Sequence, residues 1–227
     1  MPGAYLLMII LFLVGLFVQW RLRSKFSEYS QVPLSSGLTG AEVAERMLQE
    51  NGIYDVRVLS VDGQLTDHYN PQDKTVNLSP DVYAGRSVMA AAVAAHECGH
   101  AVQHKVAYGP LQFRSAIVPF VSVSSQWMQW ILLAGILMIN STLVPLTIGV
   151  GLFAVTTLFA FVTLPVEFDA SKRALAWVES RGVVSRQEYG VAKDGLKWAA
   201  MTYVVAALSS LATLLYYVSI LNGRSRD

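Results

Sequence analysis

The sequence predicts a mostly helical membrane protein with four transmembrane helices and a small α+β lobe on the cytoplasmic side. The chain of 227 residues is 53% hydrophobic, and its mean hydropathy of +0.42 is too high for an ordinary soluble domain. Four long apolar runs are interrupted by a polar stretch that carries both helix and strand patterns. The formal net charge of +1 gives no reason to expect a nucleic-acid partner.

The first apolar run, Ala4–Trp20, is just long enough to cross a bilayer. A cleaved signal peptide is the alternative, but no positive charge precedes the run and no small-residue cleavage site follows it. Arg21, Arg23 and Lys25 come directly after it. Because positive residues favour the cytoplasmic side, we expect an uncleaved anchor with the N-terminus outside.

Three further apolar runs lie in the second half of the chain. They are Ala116–Ile139, Leu143–Pro165 and Ala199–Leu221. Only residues 140–142 separate the first two, which predicts a tight transmembrane hairpin. Before the last run, Ser185 and Glu188 form a capping box that predicts a helix leading into that run. Gln126 and Gln129 within the first of these runs are expected to face other protein, since polar groups are costly in hydrocarbon.

The polar stretch between the first two runs predicts a compact lobe. Thr39 and Glu42 form a capping box that begins a helix ending near Gly52. Ser79 opens a short helical turn, and a longer helix begins after Ser87. Alternating and β-branched patterns predict three short strands at Val56–Val61, Leu65–Tyr69 and Thr75–Leu78.

The distribution of positive charge predicts which side the lobe occupies. With the N-terminus outside, all but Arg224 and Arg226 of the 17 Lys and Arg residues lie in the cytoplasm. The predicted segments are transmembrane helix 1 (1–20), the lobe (21–114), the transmembrane hairpin (115–165), a cytoplasmic helical segment (166–198), transmembrane helix 4 (199–221) and a tail (222–227).

The residues with recognisable chemistry are centred on an H-E-x-x-H motif at residues 96–100. Side chains four apart share one face of a helix, about 6 Å apart along its axis, so His96 and His100 can bind one ion. Zinc suits two imidazoles, a third ligand and a water molecule, whose pKa it lowers to about 7. Glu97 lies beside them and can take the proton of that water as general base.

The flanking residues distinguish a metal site from a chance match on a solvated helix face. Small apolar residues, Ala90–Ala95 and Ala101–Val102, surround the motif. They are typical of a buried helix, in which histidine and glutamate need partners. Gly99 is a poor helix former and predicts close approach by another segment or a substrate. Cys98 points away from His96 and is interpreted as a small buried thiol.

The third metal ligand must come from elsewhere in the chain. Glu167 is favoured, in the first turn of a helix predicted to open where the third run ends. Asp169 is a weaker ligand candidate, or an acceptor that orients a ligand histidine. Alternatively, Glu167 and Asp169 bind nothing and are favoured only because the helix dipole stabilises negative charge near a helix N-terminus. His104 lies about 12 Å from His96 along a straight helix, so packing or a hydrogen bond is expected instead. His68 is a ligand, a transition-state donor or a sheet-face histidine.

Four motifs occur in order along nearly the whole chain. They are LTDHYNP at 65–71, NLSP at 77–80, AAHECGHAVQ at 94–103 and LPVEFDAS at 164–171. Together they resemble the YugP-like family of bacterial membrane zinc metallopeptidases. The resemblance implies a neutral zinc endopeptidase of the bacterial plasma membrane, with a zincin-like lobe and one zinc ion per chain.

The family is similar to the HtpX-like and prenyl-protein-processing gluzincins, in which a later glutamate completes the site; that role falls on Glu167. Those gluzincins place an aspartate four residues further on, where this chain has Ser171.

The resulting hypothesis is an integral-membrane zinc endopeptidase that cleaves membrane or membrane-proximal proteins, with Glu97 as base. A non-catalytic zinc-stabilised scaffold or pseudoprotease is the alternative, and a metal transporter a weaker one. An intact Glu97 disfavours the scaffold, which needs no base.

Lys74–Leu78 could bind an extended peptide by β-augmentation. The bilayer is an expected partner, and a homo-oligomer or a membrane-protein partner is left open. Candidates for stabilising the oxyanion are His68, Tyr69, Tyr83 and Arg173.

Overall fold

The computed structural model describes residues 2–224, which are mostly α-helical. Its elements are α1 (Pro2–Tyr29), α2 (Gly40–Glu50), β1 (Arg57–Ser60), β2 (His68–Asn70), β3 (Thr75–Leu78), α3 (Pro80–Tyr83), α4 (Val88–Lys105), α5 (Gly109–Leu137), α6 (Val144–Ser180) and α7 (Arg186–Arg224). The last three residues of the predicted tail, including Arg226, lie outside the described residues.

Four of these helices are long and apolar enough to cross a membrane. They are Leu6–Tyr29 within α1, then α5, α6 and Arg186–Gly223 within α7. The predicted fold class is thus confirmed as a mostly helical chain with four candidate membrane spans and a small mixed sheet. Each of these helices extends beyond its apolar run, so the positions of the membrane edges stay a prediction.

The chain divides into two compact units. The first, here the helical unit, contains the residues up to Val18, Gln112–Leu164 and the residues from Thr202 onward. The second, here the mixed unit, contains Gln19–Leu111 and Pro165–Met201.

The core of the mixed unit is built around α4. Helices α2 and α3 pack against it, and its alanines present little side chain, so neighbouring segments can approach closely. Val43 and Met47 of α2, Val76 and Leu78 of β3 and Val178 of α6 are almost completely buried in the same core. A hydrophobic cluster therefore surrounds the helix that carries the H-E-x-x-H motif.

Two capping boxes begin helices of the mixed unit, as the sequence predicts. The Thr39 hydroxyl accepts a hydrogen bond from the Glu42 N–H, while the Glu42 carboxylate accepts one from the Thr39 N–H. Ser185 and Glu188 make the same reciprocal pair at the start of α7. Glu188 also accepts bonds from the N–H and hydroxyl of Ser35, which ties the loop after α1 to α7.

The sheet has the order β1-β3-β2, with β3 parallel to β1 and antiparallel to β2. Both edges of β3 are paired, so the prediction that Lys74–Leu78 offers a free edge to a peptide is wrong; the edge strands are β1 and β2. The predicted strand Leu65–Tyr69 is also wrong at its start, because Leu65 has a φ of 56°. A left-handed residue cannot continue a strand, and β2 begins only at His68.

The helix that carries Glu167 does not open at Pro165. Helix α6 continues through this proline from Val144 to Ser180, so Glu167 lies in a helix interior rather than in a first turn. Proline is tolerated within long apolar helices because neighbouring groups compensate the lost hydrogen bond. The predicted helix leading into the last span likewise joins it without a break, since α7 is continuous from Arg186.

In the helical unit, α5 and α6 form the predicted hairpin. A Cβ on Gly135 would lie 2.6 Å from the backbone of Leu146, so glycine allows the two helices to approach closely. Leu132 and Leu146 are buried at this contact. Gln126 and Gln129 are exposed, so the described part of the chain does not cover them, and the expectation that they face other protein stays a prediction.

Candidate metal centre

Helix α4 brings the two histidines of the motif together. The Ser87 side chain caps its N-terminus by accepting a hydrogen bond from Ala90 N–H. The rings of His96 and His100 lie edge to face with centroids 4.9 Å apart, and their side chains are only 14% and 12% exposed. One turn of a buried helix thus presents two imidazoles on one face.

Glu167 of α6 completes a cluster of three potential ligands. Its Oε2 lies 3.3 Å from Nε2 of His96 and 3.6 Å from Nε2 of His100. The three ligand atoms all lie within 4.8 Å of one another. Atoms about 2.0–2.1 Å from a tetrahedral zinc ion lie about 3.3 Å apart, whereas a direct ion pair would be about 2.7–2.9 Å. The spacing therefore fits ligands around a small cation better than a direct contact.

Gly99 sets how closely α6 can approach α4. A Cβ at this position would lie 2.7 Å from the carbonyl oxygen of Ala170 and 3.1 Å from its Cα. The neighbouring atoms are backbone, which cannot move aside as a flexible side chain can. Close approach by another chain segment, which the sequence predicts at Gly99, is thus confirmed, and the segment is the helix that carries Glu167.

The orientation of His100 is fixed by Gln103, which is fully buried. The Gln103 Nε2 donates to the carbonyl oxygen of Val166 at 2.8 Å and to Asp169 Oδ2 at 2.9 Å. Its Oε1 consequently faces Nδ1 of His100, at 3.1 Å. Since an amide oxygen only accepts, Nδ1 carries the proton and Nε2 turns its lone pair toward Glu167. Two electron-rich atoms then face one another, an arrangement that a cation between them stabilises.

His96 is supported by a hydroxyl rather than an amide. Its Nδ1 lies 3.1 Å from Oγ of Ser171, so this hydroxyl on α6 positions the ring. Asp169 is not the direct histidine acceptor that the sequence suggests. Asp169 instead accepts a hydrogen bond from Gln103 and another, at 2.5 Å, from Nε of Arg173. Its position on α6 places it next to Gln103, which lies about one helical turn beyond His100 on α4. Asp169 therefore reaches His100 only through Gln103.

The potential general base is close to this cluster and has no competing partner. Glu97 is 8% exposed, and no hydrogen bond or ion pair joins its carboxylate to another described residue. Burial lowers the pKa of His100, but the carboxylates of Glu167 and Glu97 outweigh it, so this pKa lies above its ordinary value. The two carboxylates thus favour positive charge at the position of His100.

The remaining candidates lie outside the three-residue cluster. His104 Nδ1 hydrogen-bonds with the Tyr69 hydroxyl at 3.1 Å. His68 bonds to the Thr66 carbonyl at 2.7 Å and to Asn77 at 3.2 Å. The Arg173 guanidinium lies over the ring of Tyr108 and pairs with Asp169. Within the described part of the chain, none of these side chains makes a hydrogen bond or ion pair with a potential ligand.

Cys98 faces the core on the opposite side of α4. It is completely buried, and its Sγ donates to the Ala44 carbonyl at 3.5 Å. Burial raises the pKa of its thiol well above the usual value, so the thiol stays protonated. The interpretation of Cys98 as a small buried thiol is confirmed.

Sequence reasoning missed the contribution of Gln103 and the contact of Ser171. A signal for Gln103 exists, since it follows His100 by three residues and therefore shares its helix face. Ser171 follows Glu167 by four residues and likewise shares its face. In both cases the spacing predicts proximity, but the partner on the other helix depends on how α4 and α6 pack.

The fold and the site together define a chain with four candidate membrane helices and a buried His–His–Glu cluster able to hold a metal ion. The chain belongs to the family described as "Putative neutral zinc metallopeptidase", which matches residues 4–222. It is 45% identical over 215 residues to the "Putative membrane protease YugP" of Bacillus subtilis (strain 168), across 94% of this chain and 95% of that protein. The YugP-like resemblance is thereby confirmed. No solved structure matches the chain.

Proposed function

We propose that the protein is an integral-membrane zinc endopeptidase of the bacterial plasma membrane. His96, His100 and Glu167 hold one zinc ion, and Glu97 is the general base. The observation that carries the proposal is the convergence of three ligand atoms within 4.8 Å beside the Glu97 carboxylate, which has no partner among the described residues. Family membership supports zinc as the ion and a peptide as the substrate.

The residues of the cluster fit a catalytic zinc ion. The set of two imidazoles and one carboxylate leaves a fourth position for water, as in catalytic rather than structural zinc sites. Gln103 and Ser171 hold the imidazoles through their second nitrogens, which is how ligand histidines are usually oriented. The fully buried Gln103 also keeps the His100 lone pair directed at the ion position.

Each side chain then has a defined part in peptide hydrolysis. A zinc ion held by His96, His100 and Glu167 would supply Lewis acidity, which would polarise the scissile carbonyl and lower the pKa of water. Glu97 takes one proton from the attacking water and passes it to the leaving amine as the C–N bond breaks. Because Glu97 forms no ion pair with any other residue that the structure describes, its carboxylate is available for both transfers.

The substrates are proposed to be membrane or membrane-proximal proteins, cleaved at the cytoplasmic face. The distribution of Lys and Arg supports this orientation, since only Arg224 and Arg226 of 17 would lie outside. The N-terminus is then outside, and the predicted segments 21–114 and 166–198 are cytoplasmic. A reporter that is active only outside the cytoplasm, fused to the N-terminus, tests this orientation and should be active. An inactive reporter at this position would contradict the orientation.

The substitution Glu97→Gln tests the catalytic assignment. It keeps the shape of the side chain but removes the base, so we expect one zinc per chain to remain while the cleavage rate falls by about 100-fold or more. Zinc content by mass spectrometry and cleavage of a fluorogenic protein substrate measure the two effects. Glu45→Gln, on the exposed face of α2, is the matched control and should retain both zinc and cleavage.

The same experiment separates the enzyme from a zinc-stabilised scaffold. A non-catalytic scaffold would bind zinc in both forms and would cleave the substrate in neither. Unaltered cleavage in Glu97→Gln would contradict the proposed mechanism. Loss of zinc from this variant would show that Glu97 is a ligand instead.

A further inference from the structure

A line of polar side chains runs along α5 within its apolar span. Ser122, Gln126 and Gln129 are four and three residues apart, which places them on one face of the helix. All three are exposed, and we call them the α5 polar stripe. The two glutamines lie near the middle of the predicted span Ala116–Ile139, where a bilayer is hydrocarbon.

The α5 polar stripe points away from the face that packs against α6. That packing face includes Ser124 and Gly135, both buried, with Gly135 against the backbone of Leu146. At 3.6 residues per turn, Ser124 and Gly135 lie about 140–160° around the helix from Ser122. The stripe is therefore on the far side of the hairpin within the helical unit.

The two amides of the stripe have unmet hydrogen-bonding capacity. Among the described residues, neither Gln126 nor Gln129 has a hydrogen-bond partner for its side chain. Each amide carries two N–H donors and one carbonyl acceptor. In hydrocarbon no water satisfies them, and leaving such groups unpaired is unfavourable. Polar side chains at this depth commonly bond to another membrane helix.

We propose that the α5 polar stripe is a self-association surface on which two copies of the chain pack α5 against α5. Copies inserted in one membrane share one orientation, so a twofold axis along the membrane normal sets Gln126 opposite Gln126 and Gln129 opposite Gln129. An amide both donates and accepts, so each pair satisfies itself. An unrelated helix would need matching polar groups at both depths. The proposal rests on the proposed membrane placement and is independent of the peptidase chemistry.

Energy transfer between labelled full-length copies in liposomes tests the self-association. We expect the wild type to associate reversibly as lipid is diluted, and Gln126→Leu with Gln129→Leu to weaken association about tenfold or more. Leucine suits a lipid-facing position, so this variant should insert and fold. Phe120→Leu with Val123→Leu, exposed on another face, is the matched control and should associate like the wild type.

Cysteine cross-linking gives a second, geometric test. The single natural cysteine, Cys98, is buried and does not compete. Ser122→Cys should form a disulfide-linked dimer under mild oxidation. A disulfide needs about 4.4–6.8 Å between its two Cα atoms, and the proposed interface brings position 122 of the two copies this close. Val123→Cys, on a neighbouring face, should not cross-link.

These measurements can overturn the proposal. A wild type that stays monomeric at every lipid ratio, or a double leucine variant that associates equally well, would show that a second copy does not occupy the stripe. Cross-linking at Val123→Cys but not at Ser122→Cys would place the interface on another face. Recovery of the chain with carbonate-washed membranes tests the membrane placement separately, so a monomeric result in liposomes counts against the dimer alone.

Discussion

Helices α4 and α5 are both apolar, but they differ in what surrounds them. Of the 18 residues of α4, 13 are buried, whereas only Ser124, Leu132 and Gly135 are buried among the 29 of α5. The apolar side chains of α4 are mostly alanine. Those of α5 are large, and Phe120, Trp127 and Trp130 are each more than half exposed, at 69%, 56% and 66%.

This difference shows that residue size is as informative as hydrophobicity. Small side chains let neighbouring segments approach closely, and α4 accordingly meets the backbone of α6 at Gly99. Large apolar side chains suit contact with lipid, and α5 accordingly exposes them. The same contrast extends to the buried amide of Gln103 on α4, which is paired with α6, whereas the amides of Gln126 and Gln129 on α5 have no partner among the described residues.

The largest expected effect is the loss of a ligand from α4. His100→Ala removes one of three protein ligands, so the zinc content of the purified protein should fall to background. His104→Ala, one turn further along the same helix, is the matched control and should keep its zinc. Zinc retained in His100→Ala would show that His100 is not a ligand of the ion.

Two glutamines, one in each helix, provide the next test. Gln103→Met removes the acceptor for His100 without changing the volume of the side chain greatly, and we expect the dissociation constant for zinc to rise by about 10- to 100-fold. Competition with a chelating dye measures this constant. Gln129→Met on α5 should leave it unchanged. Equal affinities in both variants would contradict the orienting contact of Gln103.

The contrast in helix packing can be tested at two glycines. Gly99→Ala places a methyl group against the Ala170 backbone, and we expect a loss of about 1–3 kcal/mol in the free energy of unfolding, with weaker zinc binding. Gly151→Ala on α6, where the added Cβ would meet no other described segment of the chain within 4 Å, should leave stability equal or slightly higher. Denaturation in detergent measures both variants, and equal stability would show that α4 and α6 can separate without cost.

The smallest effect is expected on the exposed side of α5. Phe120→Leu changes a large side chain that the rest of the chain does not cover, so the free energy of unfolding should change by no more than about 0.5 kcal/mol. The same denaturation assay measures it. A much larger change would mean that this side of α5 is covered within the folded chain.

Much of the architecture follows from local patterns in the sequence. The four long helices, both capping boxes and the strand Thr75–Leu78 depend on hydropathy and on residues close in sequence, and the structure confirms them. The H-E-x-x-H spacing likewise predicts that His96 and His100 share one face of a helix.

The parts that sequence reasoning missed depend on packing between distant segments. Pro165 indicates a helix start by local rules, but α6 continues through it because a long apolar helix tolerates proline. The partner of His100 is Gln103 rather than Asp169 because Gln103 also reaches Val166 on α6. No periodicity in the sequence distinguishes the exposed side of α5 from its packed side, so the exposure of Gln126 and Gln129 required the structure.

The central claim is that one cation is held by His96, His100 and Glu167. Zinc-edge X-ray absorption on the purified full-length protein tests it most directly. The prediction is one zinc per chain, with two imidazole nitrogens and a carboxylate oxygen at about 2.0–2.2 Å, and a changed spectrum or lost zinc in Glu167→Ala. Absence of stoichiometric zinc, or an identical spectrum in Glu167→Ala, would contradict it.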